Sequence, residues 1–330
     1  MTIAAFALVA CMLTVYVMLD GYDLGIATSL SAVARNERER AAAIRAIGPF
    51  WNGNEVWLIA TGAVLFALFP KAYASAFSGF YLPFIVVLWL LMFRGIAMEL
   101  RGHFDSVLWR EFWDAAFSAS SALLLALFGI ALGNLLRGLP LDAHGYFMGT
   151  LAYLLNGYAL LVGIFAVLVL VQHGLAFLSL RVDGAFSQRV RGLASHLWWV
   201  SAGGYVAVTA ATFAVRGSTL ALSPVAPVAL LSIVALLLLR RWILRERDVA
   251  AFLASCAFVS TLLAEAAATI FPYLLPARPL GHGGLSIYDA QPNPIALVTA
   301  FVTTIAGLTV VVAYSAFVAR RMMERIRVDD

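Results

Sequence analysis

Charge is scarce in this chain of 330 residues: 12% are Asp, Glu, Lys or Arg, against 63% hydrophobic residues and a mean hydropathy of +0.92. Soluble domains carry roughly one-quarter charged residues, so the composition excludes a water-soluble globule. Cysteine is thin as well. Cys11 and Cys256 both lie inside apolar stretches, with no CxxC pair and no CxxCH haem-attachment run, which leaves them as packing residues at lipid depth. The net charge of +4 offers no face for nucleic acid, because the basic residues sit at helix ends. Low-complexity stretches and short-period repeats are missing too. No Lys or Arg precedes the first apolar run, so that run is expected to remain as the first helix rather than act as a secretory signal.

What the chain has in abundance is membrane-length apolar sequence. About 20 mostly apolar residues cross a hydrocarbon core of roughly 30 Å. Reading such runs against charged, Pro and Gly breaks predicts helices near 2–31, 55–75, 79–100, 115–136, 149–171, 196–215, 224–240, 249–271 and 294–318. The expected fold class is an all-α integral membrane protein of about nine transmembrane helices. It forms a single polytopic membrane domain, 1–330, with two four-helix bundles plus one extra helix as the suggested arrangement.

The connections alternate in charge. Arg35, Arg38, Arg40 and Arg45 lie in one, Arg101 and Arg110 in the next on that side, then Arg181, Arg189 and Arg191, then Arg240, Arg241, Arg245 and Arg247, and finally Arg320, Arg321, Arg325 and Arg327. The opposite connections hold one basic residue each: Lys71, Arg137, Arg216 and Arg278. The positive-inside rule then predicts an N-terminus outside, a C-terminus in the cytoplasm and an odd number of spans. The longest outer connection, Leu275 to Pro294, is too rich in Pro and Gly for a continuous helix.

Polar residues inside such helices are costly, roughly 2.5–3.5 kcal/mol for a charge at the bilayer centre, and therefore informative. Asp20 and Asp23 are spaced i,i+3 near the cytoplasmic end of the first helix, which puts both carboxylates on one side. They are either interfacial aspartates beside a basic loop or a proton or cation site. Gly21 and Gly25 beside them favour close helix contact. Trp51, Asn52, Asn54, Glu55 and Trp57 open the second helix, as an aromatic belt or as a polar stripe facing a neighbour. Arg94 and Glu99 close the third, where a structural ion-pair cluster and a proton relay are both open readings. Glu265 lies alone in an apolar run towards the outer half, as protonated packing, a partner for another subunit or a proton site. The histidines, His103, His144, His173, His196 and His282, show no i,i+3 or i,i+4 pairing, so no metal or haem ligated wholly by this chain is expected.

The strings Asp20 to Gly25 and Trp51-Asn52-Gly53-Asn54-Glu55-Val56-Trp57-Leu58 resemble subunit II of the cytochrome bd-type quinol oxidases. So do Ala63 to Pro70, Ser78-Gly79-Phe80-Tyr81, Phe93-Arg94-Gly95 and Gly133 to Pro140. Shorter runs follow at His173-Gly174, Phe271-Pro272-Tyr273 and Leu285 to Ala290. The resemblance implies a bacterial inner-membrane heterodimer in which a haem-bearing subunit I holds haem b and haem d, oxidises quinol and reduces O2 to water. Subunit II then ligates no haem, supports assembly and helps shape a cytoplasmic proton route, with a structural quinone and a small single-helix accessory subunit in some members. Carried over by position, Asp23, Glu99 and Trp51 match family positions. Asn52 stands where many members have Asp, and an amide does not titrate, which leaves the route to Glu99, Asp20 or Asp23, or mainly to subunit I; Glu55 is a further candidate for the proton pathway. Glu265 stands where a neutral residue is expected. The rival reading is an ion-coupled secondary transporter, against which the acids of the first and third helices sit near one membrane face and no pair of Gly/Pro-broken segments recurs in the two halves.

Overall fold

A computed structural model describes residues 1–217, 225–280 and 283–327. Its helices are α1 (Thr2–Val33), α2 (Glu37–Ile47), α3 (Trp51–Leu68), α4 (Pro70–Gly79), α5 (Tyr81–Leu100), α6 (Val107–Arg137), α7 (Leu151–Leu154), α8 (Gly157–Arg181), α9 (Gly184–Arg216), α10 (Val225–Leu244), α11 (Asp248–Ile270), α12 (Ile287–Ala290) and α13 (Pro294–Met322). A two-stranded antiparallel hairpin, β1 (Tyr273–Pro276) with β2 (Gly284–Ser286), lies in the long connection before α13. Eight of the helices are long and apolar enough to cross a membrane: α1, α5, α6, α8, α9, α10, α11 and α13.

The span expected near 55–75 is divided. Phe69 leaves helical geometry at φ −143°, ψ 63°, and Pro70 takes the first position of α4, where its missing N–H costs no helix bond. What remains is α3, 18 residues long and opened by Asn52, Asn54 and Glu55, a polar first turn that dilutes its apolar character. The span expected at 149–171 instead runs from Gly157 to Arg181. Its start is fixed by Asn156, whose side chain accepts the Ala159 amide. Its C-terminal half continues through Gln172 and His173 because both are buried. The stretch at 35–45, read as a loop, contains α2, a helix capped by Asn36 accepting the Glu39 amide. The start expected at 224 lies outside the described residues.

Helices α1, α3, α5 and α6 pack as one group, α8, α9, α10 and α11 as a second, and α1 and α6 pack against α8 to join them. The α1–α8 seam is closest at Gly25 and Gly174: a Cβ on Gly174 would lie 2.6 Å from the Ile26 amide nitrogen. Such contact between backbones needs small residues. Helix α13 rests mainly on α3, and only 6% of its apolar window is buried.

The arginine-rich connections meet at one end, tied by ion pairs. Arg101 binds Asp114 at 2.5 Å and Glu37 at 2.9 Å, Arg189 pairs with Glu39, and Asp248 takes both Arg191 at 2.8 Å and Arg325 at 2.9 Å. At the opposite end, the hairpin holds the segment after α6 through Leu139 N–H to Pro276 O at 2.8 Å and Arg278 N–H to Leu139 O at 2.8 Å. These are called the basic end and the hairpin end below.

Candidate functional site

The polar residues of the first bundle converge between α1, α3 and α5. Asp20 is fully buried and receives both terminal nitrogens of Arg94, Nη1 to Oδ2 at 2.8 Å and Nη2 to Oδ1 at 2.6 Å. A bidentate guanidinium–carboxylate pair is among the strongest polar contacts available without water. Arg94 also faces Glu55, 3.5 Å from Nη1 to Oε1, and the Glu55 side chain keeps 25% of its surface exposed.

Asp23, one turn on, is fully buried with a different partner. Asn54 donates to its Oδ2 at 2.7 Å and lies 2.9 Å from the Tyr22 hydroxyl. The second carboxylate oxygen, Oδ1, takes no hydrogen bond from the described residues. Tyr22 is stacked on Phe177 of α8, ring centroids 3.9 Å apart, so the same turn of α1 joins the two bundles. The cluster therefore gathers three carboxyl groups, Asp20, Asp23 and Glu55, around one guanidinium, with Glu55 leading to the surface.

The remaining candidates divide. The half-buried Trp51 lies over Gly95 of α5, its ring 3.6 Å from where a Cβ would stand. Trp57 is buried with Met12 and Tyr16 of α1. Asn52 is exposed on α3, and Glu99 is exposed on α5 without an ion pair among the described residues. The structure thus brings together Asp20, Asp23, Asn54, Glu55 and Arg94, and places Asn52 and Glu99 outside that cluster. Glu99 follows Arg94 by five residues, which turns it away from the face Arg94 presents.

Glu265 is not the solitary acid its sequence context suggests. Ser232 of α10 donates to its Oε1, and the Tyr205 hydroxyl of α9 lies 3.2 Å from the same oxygen. Both donors are remote in sequence, and no local pattern marks them.

His173 is fully buried, with Nδ1 2.7 Å from the Ser255 hydroxyl and Nε2 2.8 Å from the Met18 carbonyl oxygen. It ties α8 to α1 and α11, and both ring nitrogens are committed. His103, His144 and His196 are exposed, and His282 lies outside the described residues. Among the described residues no group of three or more His, Cys, Asp or Glu could hold a metal ion.

The class so defined is a polytopic membrane protein with a buried ion cluster and a committed, non-ligating core histidine. Residues 1–322 match the family described as cytochrome bd terminal oxidase subunit II, and the chain belongs to that family. It is 28% identical to cytochrome bd-I ubiquinol oxidase subunit 2 of Escherichia coli K12 over 357 residues, covering 98% of this chain and 94% of that one. It is 37% identical to cytochrome bd ubiquinol oxidase subunit 2 of Bacillus subtilis over 195 residues, which is 59% of this chain and 58% of that one. The fold is similar to a chain in the structure of bd oxidase from Geobacillus thermodenitrificans, with a TM-score of 0.79, 19% identity and 97% of both chains covered. As a family member the chain is a subunit of an oxidoreductase complex of the bacterial cytoplasmic membrane.

Proposed function

We propose that this chain is the haem-free subunit of a quinol:O2 oxidoreductase and carries protons from the cytoplasm towards a haem-bearing partner. The observation that carries the reading is the cluster of Asp20, Asp23 and Glu55 around the guanidinium of Arg94, with Asp23 Oδ1 taking no hydrogen bond among the described residues. Three carboxylates and one cation cannot all be charged cheaply in a water-poor site, so the cluster holds a proton it can exchange. Glu55, partly exposed on α3, leads out of the cluster, Arg94 and Asp20 form its fixed frame, and Asn54 orients Asp23.

Counting α3 as a span gives nine, with the N-terminus outside and the basic end in the cytoplasm, in keeping with the crowding of arginines there. The partner covers the face of α3, α5 and α13, where Ile59, Trp89, Met92, Phe93 and Val302 stand exposed. Asn52 and Glu99 stand on these same two helices, so Glu99 can pass a proton only across that subunit boundary. Membership of the family supports placing haem b and haem d in the partner, and the buried His173 has both ring nitrogens committed within this chain.

The test is to purify the tagged chain in mild detergent and record a reduced-minus-oxidised spectrum. Co-purification of a larger haem-bearing chain, with b- and d-type bands and quinol oxidation, is expected. Mass spectrometry of the same sample reads any structural quinone and any small accessory subunit. A haem-free protein isolated alone would overturn the reading and favour ion-coupled transport.

A further inference from the structure

The second bundle encloses an acid that the proton route of the first does not use. Glu265 lies on α11, little more than one turn before its end at Ile270, with its side chain half-buried. Two hydroxyls hold its carboxylate, Ser232 from α10 and Tyr205 from α9. No ion pair to Glu265 is formed among the described residues. On α8, His173 is committed to Ser255 and Met18, and on α1 the carboxylates of Asp20 and Asp23 turn to α5 and α3.

A polar stripe leads from this acid to the hairpin end. Tyr205, Thr209, Thr212 and Arg216 follow one another at spacings of four, three and four along α9, which places them on one face. Thr209 stands one turn beyond Tyr205 on that face. Thr212 shares a 2.8 Å hydrogen bond with Tyr158 of α8, and Arg216 ends the stripe close to Tyr158. Elsewhere these helices present Val206, Phe213, Leu230, Leu231 and Leu253 outward, so the stripe is the polar approach to the acid.

We propose that Glu265 is a proton-exchange site that communicates with the hairpin end through the hydroxyls of α9, and hence a modification site for lipid-soluble carbodiimides. A hydroxyl both donates and accepts, so Tyr205 at the acid and the Thr212–Tyr158 pair further along can each take up and release a proton by reorientation, with Thr209 between them on the same face of α9. Asp20, clamped by two guanidinium bonds, has no such freedom. The labelling step balances simply. The protonated carboxyl adds across a C=N bond of the carbodiimide, its oxygen bonding to the central carbon and its proton going to nitrogen, with no leaving group and no redox change.

The experiment uses the chain in its native complex, in sealed vesicles treated with dicyclohexylcarbodiimide, with the α11 peptide read by mass spectrometry. A His144→Cys variant in a Cys11→Ala background, probed with an impermeant maleimide, reports which side the hairpin end faces, independently of the label. The expected result is a label on Glu265 whose rate, above its midpoint, falls about tenfold per unit rise in pH on the side where residue 144 reacts. Thr212→Val should slow that response, and Glu265→Gln should remove the label. An unlabelled Glu265 in the unmutated complex would overturn the proposal, as would a rate set by pH on the opposite side. Protection by sodium at fixed pH would also overturn it, by making the ligand a cation. If residue 144 reacts from the cytoplasm and the label follows that side, the topology fails and the site stands.

Discussion

The two bundles each keep carboxyl groups within membrane-length helices, and they accommodate them by different means. In the first, Asp20 is answered by a guanidinium, and Asp23 and Glu55 share what remains of that charge. In the second, Glu265 is answered by hydroxyls alone among the described residues. A buried ion pair is rigid and costly to break, whereas a hydroxyl-bonded carboxyl can gain or lose its proton without stranding a cation. The difference predicts that the first site is a frame with an exchangeable member and the second is an isolated exchanger.

The comparison breaks most visibly at the frame. Arg94→Leu strands Asp20 in a dry site and should cost about 3–5 kcal/mol, read as loss of assembled protein and a lower thermal midpoint in detergent. Retention of full stability would mean Asp20 is held by something other than the guanidinium. The seam between the bundles comes next. Gly25→Val drives a side chain into the Leu170 carbonyl and Gly174, and overpacking of this kind costs about 1–3 kcal/mol, measurable in the same melt.

Substitutions at Glu265 should be milder and should depend on chemistry. Glu265→Leu leaves the Ser232 and Tyr205 hydroxyls with only the long 3.4 Å contacts to the Val228 and Ala229 carbonyls, a loss of about 1–3 kcal/mol, whereas Glu265→Gln retains an acceptor and should cost about 1 kcal/mol or less. Equal losses for the two variants would show that the carboxyl has a charged partner after all.

The smallest effect is at the basic end. Burial pushes the Glu39 carboxyl up, but hydrogen bonds from Arg189 and the Arg35 amide bring it below its ordinary value of 4.5. A carboxyl held low in the folded state contributes stability that is complete above the unfolded value and lost as pH falls through the folded one. The protection of α2 amides, taken relative to their intrinsic exchange rate at each pH, should therefore be unchanged from neutral pH down to about 5 and fall below the ordinary carboxylate range. Glu39→Gln should show the lower protection already at neutral pH.

The legibility of the sequence differs between the same two regions. Apolar runs and charge alternation located membrane-length helices because lipid imposes length and composition together. The i,i+3 aspartates and the Asn54–Glu55 pair pointed to a cluster because their spacing is local to one helix. Glu99 looked equivalent to Arg94, yet five residues of helical rotation send it outward, and only the packing of α3 against α5 shows which face turns inward. The Glu265 site was half legible. Its acid stood out, while Tyr205 and Ser232 lie 60 and 33 residues away. The break at Phe69 went unread because Pro70 is tolerated at a helix start as readily as it interrupts one.

The central claim is that the buried cluster of the first bundle carries protons, and quinol oxidase turnover in Asp23→Asn membranes tests it most directly. Turnover should fall at least about tenfold with the haem spectrum and the amount of complex unchanged, and Glu99→Gln, outside the cluster, should have a smaller effect. Normal turnover in Asp23→Asn would contradict the account and leave the cluster a purely structural ion pair.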